Sequence, residues 1–108
     1  MKKIINGLRY DTSNSTEIGR FNNGLDRDDF QFWEAALYIT PHKKHYFIVG
    51  EGGPMTRYGV VAGRLNEWKK EIGERLDPIS KENAFEWAKV YLSPGESEKH
   101  FADMMDKD

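Results

Sequence analysis

The sequence predicts an α+β fold: a small antiparallel sheet of hairpins, about four to six strands, packed by two or three helices of which the last two are C-terminal. Three observations predict it. An Asn-Gly pair, Asn6-Gly7, stands between two short apolar runs; β-prone runs flank a polar turn at 41–44; and Ser80 and Ser93 precede segments with helical apolar spacing. With 108 residues the chain is the size of one domain, 1–53 mainly β hairpins and 54–108 mainly helical.

Taken in order, the run "IINGLRY" is a tight hairpin, because Asn-Gly populates the two positive-φ positions of a type I′ turn. A two-residue turn sets Ile5 opposite Leu8 and Lys3 opposite Tyr10, which gathers Ile5, Leu8 and Tyr10 on the buried face. Residues 11–15 carry turn chemistry, 16–21 form a third strand, and "NNG" at 22–24 breaks it. The stretch "FQFWEAALYI" at 30–39 holds helix formers, yet Trp33, Ala35, Leu37 and Ile39 alternate at period two. It reads as a strand, because "HYFIV" after the polar turn is strongly β-prone and the two runs pair as a hairpin.

Tyr58, Val61, Leu65, Trp68 and Ile72 recur at spacings of three and four and predict a helix, with Gly59 and Gly63 weakening its first turns and Gly73 at its C′ position. Residues 74–77 return as a short edge strand before Pro78. Ser80 caps a helix over 81–92 that buries Ala84, Phe85, Ala88, Tyr91 and Leu92. "SPGE" at 93–96 is a capping box with proline at N1, opening a last helix from 94 to about 105 with Phe101, Met104 and Met105 as its apolar stripe.

Composition narrows the function classes. Eighteen acidic residues against 16 basic ones give a formal charge of −2, neither the basic excess of a duplex binder nor the acidic excess of a DNA mimic. Charge is uneven along the chain: 12 basic and 10 acidic residues up to Leu76, 4 basic and 8 acidic from Asp77 onward. The absence of cysteine excludes disulfides, thiolate metal sites and a cysteine nucleophile. The opening "MKKIINGLRYD" is too short in apolar residues for a signal core or a membrane span, so a cytoplasmic location and no membrane partner are expected.

The glycine cluster "GEGGP" at 50–54 raises the question of a phosphate cradle. No Lys-Ser/Thr follows it, Pro54 removes a donor and Glu51 repels an anion, so it reads as a strand-to-helix turn with Gly53 near the N-cap and Pro54 at N1. Arg57 alone keeps an anion site open. His42, His45 and His100 lack metal-ligand spacing and read as surface histidines, and the three carboxylates of "DRDDF" at 26–30 read as a solvated turn. No catalytic, cofactor or metal residue is expected.

"PHKKHYF" mixes cations and rings as single-stranded nucleic-acid binders do, although Tyr46 and Phe47, adjacent in a strand, point to opposite faces. A solvated turn whose neighbours enter the core is the simpler reading.

The order of "MKKIINGLRYDT", "EIGRF", "FWEAALYIT", "HYFIVGEGGPMTRYG", "LDPIS" and "AFEWA" resembles a family of small uncharacterised proteins carried by phages, plasmids and conjugative elements of Gram-positive bacteria. Some proteins of this general kind resemble inhibitors of bacterial defence, notably type II anti-CRISPR proteins that block Cas9. The resemblance covers most of the chain and departs at 62–74, where family members usually have a shorter loop. It implies an accessory protein of a mobile element that protects it from host defence by occluding a nuclease complex such as Cas9 or another CRISPR effector, and it carries over no catalytic residue. Candidate partner-binding residues are Tyr38, Glu51, Arg57, Tyr58 and Trp87, as aromatic and charged anchors, with Lys43 and Lys44 at the hairpin tip. The alternative is a single-stranded nucleic-acid binder using Lys43, Lys44 and His45; a small hydrolase or nuclease comes third.

Overall fold

Asn6 and Gly7 take φ of 51° and 77°, the pair a type I′ turn requires, and fold β1 (Lys2–Ile5) onto β2 (Leu8–Asp11) with Ile5 opposite Leu8 and Lys3 opposite Tyr10. This computed structural model describes residues 1–42, 44–62 and 69–105, and the side chains at 61–62 and 69–70 stand outside that description. After β2 the Asp11 carboxylate accepts from the Ser13 N–H at 3.1 Å and caps a single 3₁₀ turn, Thr12–Asn14.

The chain then runs through β3 (Thr16–Asn22), β4 (Trp33–Ile39), β5 (Tyr46–Gly52), β6 (Val60–Ala62), β7 (Lys69–Glu71) and β8 (Gly73–Ile79) before α1 (Lys81–Tyr91) and α2 (Pro94–Phe101). Four of these strands make one antiparallel sheet in the order β3-β4-β5-β8, while β1-β2 and β6-β7 are separate two-stranded ribbons. The fold is α+β, with a small antiparallel sheet and two C-terminal helices, as its patterning predicts.

Period-two alternation gives the sheet two buried faces. Ala35, Leu37, Tyr46 and Ile48 point toward the helices and pack with Ala84, Ala88, Leu92 and Phe101. Ala36, Tyr38, Phe47 and Leu76 point the other way and meet Tyr10, with Ile5 and Leu8 of the hairpin beside them. The β1-β2 ribbon therefore covers one face and the helices cover the other. The Tyr10 ring meets Phe47 edge-on at 5.4 Å, and Tyr46 stacks on Phe101 at 5.6 Å.

Both helices start where their caps predict. The Ser80 hydroxyl accepts from the Asn83 N–H, and Ser93 and Glu96 bond reciprocally as a capping box with Pro94 in the first turn. Ser97 Oγ donates to the Ala88 carbonyl at 3.2 Å, tying α2 to α1. A 3₁₀ turn, Ala102–Met104, follows α2.

The structure corrects the reading of 58–72 as a helix. Its described ends are strands: β6 pairs antiparallel with β7, Val60 opposite Glu71 and Ala62 opposite Lys69. Residues 63–68 of that expectation lie outside the described residues. Gly73 is not a helix C′ residue but the first residue of β8, where the Tyr58 carbonyl approaches too closely for any Cβ. Among the described residues, helical structure in the second half accordingly begins at Lys81.

Candidate functional site

The glycine-rich stretch after β5 turns back on itself instead of opening a helix. The Gly53 N–H donates to the Phe32 carbonyl at 2.7 Å and the Met55 N–H to the Phe30 carbonyl at 2.8 Å. Within the turn, Thr56 and Gly59 donate to Gly53 and Thr56 carbonyls at 3.1 Å, and the Tyr58 N–H donates to Thr56 Oγ1 at 3.2 Å. A phosphate cradle needs converging, unengaged N–H groups. Here the Gly53, Met55, Thr56, Tyr58 and Gly59 N–H groups are bonded within the chain, the turn runs into β6 and not into a helix, and the expected placement of Gly53 and Pro54 at a helix N-terminus is overturned.

What the turn does is place two side chains. Tyr58 folds back over Gly50, where the missing side chain leaves room for its ring, and is buried at 4% exposure. Arg57 stays exposed beside it, its guanidinium 5.4 Å from the Tyr58 ring centre. Arg75, across the sheet from Gly50, reaches the same ring at 5.6 Å while its Nε donates to Asp77 at 2.7 Å. Burial pushes the Tyr58 phenol up, against the opposing pull of these two cations.

Next to this pair a chain of half-buried rings crosses from the sheet to α1. Trp33 lies 6.4 Å from Tyr58, 5.0 Å from Phe21 and 5.2 Å from Tyr91, and Tyr91 lies 5.0 Å from Trp87. A groove of about 400 Å³ opens along it, lined by Gln31, Trp33, Met55, Thr56, Arg57 and Tyr91. Met55 is 63% exposed at its rim. Trp, Tyr and Arg grouped this way are the residue types that dominate protein recognition.

The residues singled out from sequence do not form one cluster. Arg57, Tyr58 and Trp87 share the helix-side face. Tyr38 is buried on the opposite face, stacked on Phe47 at 5.2 Å with its hydroxyl toward Glu17, and burial and that carboxylate raise its pKa. Glu51, also on that face, is ion-paired with Arg27. Lys44 is exposed at the β4-β5 tip with φ of 55°, and Lys43 lies outside the described residues. Tyr46 and Phe47, at 7% and 0% exposure, sit in the two separate cores, so neither offers a ring to a base at that tip.

Glu34, Glu51 and Glu74 stand directly opposite one another on β4, β5 and β8. Like charges in register repel, and two arginines relieve the row: Arg20 bonds Glu34 at 2.5 Å and Glu17 at 2.7 Å, and Arg27 holds Glu51. These bonds raise the pKa of both guanidinium groups. Among the described residues no three His, Asp or Glu side chains are grouped to hold a metal ion. Likewise, no helix among them is long and apolar enough to cross a membrane.

Trp33, Met55, Gln31 and Tyr91 escaped the sequence reading as site residues. Trp33 and Tyr91 carried core-facing periodicity, and no spacing in the sequence ties Gln31 or Met55 to them. No protein-family model, curated protein or solved structure matches this chain.

Proposed function

We propose that the chain is a non-catalytic accessory protein of a mobile element that works by binding and occluding a partner protein, a host-defence nuclease complex of the Cas9 type being the partner its sequence resemblance implies. The observation that carries the binding reading is the exposed Arg57 and Met55 beside half-buried Trp33, Tyr91 and Trp87, on a turn held by its own backbone hydrogen bonds. Anchors fixed before contact lose little freedom on binding, which favours affinity. The test is plasmid cleavage by a purified type II effector with its guide RNA, with and without the protein, alongside co-elution on a sizing column. Inhibition with co-elution supports the reading, and Arg57→Glu is expected to weaken both. Unchanged cleavage across a panel of type II effectors refutes the Cas9-type partner, and co-elution abolished by nuclease treatment favours the nucleic-acid alternative.

A further inference from the structure

We infer that the groove beside Arg57 receives an aromatic or large apolar side chain of a protein partner whose neighbouring residue is a carboxylate. The inference rests on the binding reading above and names the chemistry of the site. Its apolar half is Trp33, Tyr91 and Met55, which supply two aromatic rings and a polarisable thioether around a space of about 400 Å³. An aromatic side chain inserted there gains ring-ring and sulfur-ring contacts without displacing any core residue.

Charge selects what must stand next to that ring. Arg57 and Arg75 converge on Tyr58, and Asp77 is the carboxylate that holds Arg75. The pair carries a positive excess at the groove's edge, and the planar guanidinium of exposed Arg57 matches a carboxylate in two-point geometry. A phosphate backbone suits the site less well. Arg57 is the one cation among the residues lining the groove, too few to follow a run of phosphates.

Nuclear magnetic resonance on the isolated protein tests this with three probes: acetyl-Phe-Asp-amide, acetyl-Phe-Lys-amide and a thymidine tetranucleotide. The Trp33 indole and Met55 methyl signals are expected to move with Phe-Asp at millimolar concentration. Phe-Lys should bind about tenfold more weakly, the factor that one charge-assisted contact at a partly exposed site supplies. Arg57→Glu should invert that order, and Met55→Ala should weaken both peptides alike. Equal response to the two peptides, no response to either, or tighter binding of the tetranucleotide overturns the inference. Because no effector enters this experiment, its failure leaves the occlusion reading standing on another surface, and loss of that reading leaves the peptide result intact.

Discussion

The Tyr58 ring rests against the α-carbon of Gly50, so close that a methyl group added at Gly50 would overlap Cζ, the hydroxyl and Cε1 together. The tyrosine is eight positions along the chain from the glycine, and the fold-back of the intervening turn brings them into contact. Gly50→Ala is therefore expected to destabilise the protein by about 1–3 kcal/mol, the usual cost of overpacking a filled site. Urea denaturation measures it. In a Tyr58→Ala background the same substitution should cost much less, so the double-mutant cycle gives a coupling of about 1 kcal/mol or more.

Gly7 is the contrasting case. Its φ is 77° and nothing lies near the position a Cβ would take, so the penalty for Gly7→Ala is conformational alone. About 1 kcal/mol is expected from holding an L side chain in the left-handed region. Asn6→Gly should change stability by only a few tenths of that, and a drop above about 2 kcal/mol for Gly7→Ala would mean the hairpin detaches from Phe47 and Leu76.

Ser93 serves two purposes in one turn. Its hydroxyl accepts from the Glu96 N–H at 3.3 Å, while the Glu96 carboxylate accepts from the Ser93 N–H at 3.2 Å. Ser93→Ala is expected to cost about 1 kcal/mol, and Ser93→Asn much less. Thermal denaturation followed by circular dichroism distinguishes them.

Alkaline stability should track two phenols. Burial raises the pKa of Tyr38 and Tyr58 above their ordinary 10.0, with Glu17 adding to the effect at Tyr38. A group whose folded pKa is raised contributes stability that is complete below its unfolded pKa. That stability is lost as pH climbs past about 10 toward the folded pKa. Phenolate absorbance should show late-titrating tyrosines, with Tyr38→Phe and Tyr58→Phe each removing one late step. Normal titration of both would place their rings in water.

Where neighbouring residues settle a structure, the sequence is a good guide to this molecule. Asn6-Gly7 set the turn type and hence the register of Ile5 on Leu8, and "SPGE" set the start of α2. The alternation from Trp33 to Ile39 resolved strand from helix correctly because its partner strand was visible nearby. The failure at the described ends of 58–72 has a physical cause: spacings of three and four cannot tell a helical stripe from residues buried for unrelated reasons. Tyr58 is in the core through its seat on Gly50, whereas Ile72 is 48% exposed. The candidate face was less legible still, since Met55, Trp33 and Tyr91 lie far apart in sequence: Trp33 and Tyr91 meet only where α1 packs on the sheet, and Met55 joins them only through the fold-back of the turn.

Gly52 on β5 pairs with Gly73 on β8, and beyond them Val60 pairs with Glu71, so the chain leaves the main sheet and rejoins it at neighbouring points. The β6-β7 excursion is thus a sealed side branch whose two feet are already stapled together. Lengthening it adds little closure entropy, about 0.6 kcal/mol per doubling. Natural variation or a protein engineer can exchange that branch for one of another size, so long as the Val60–Glu71 pairing at its foot is kept.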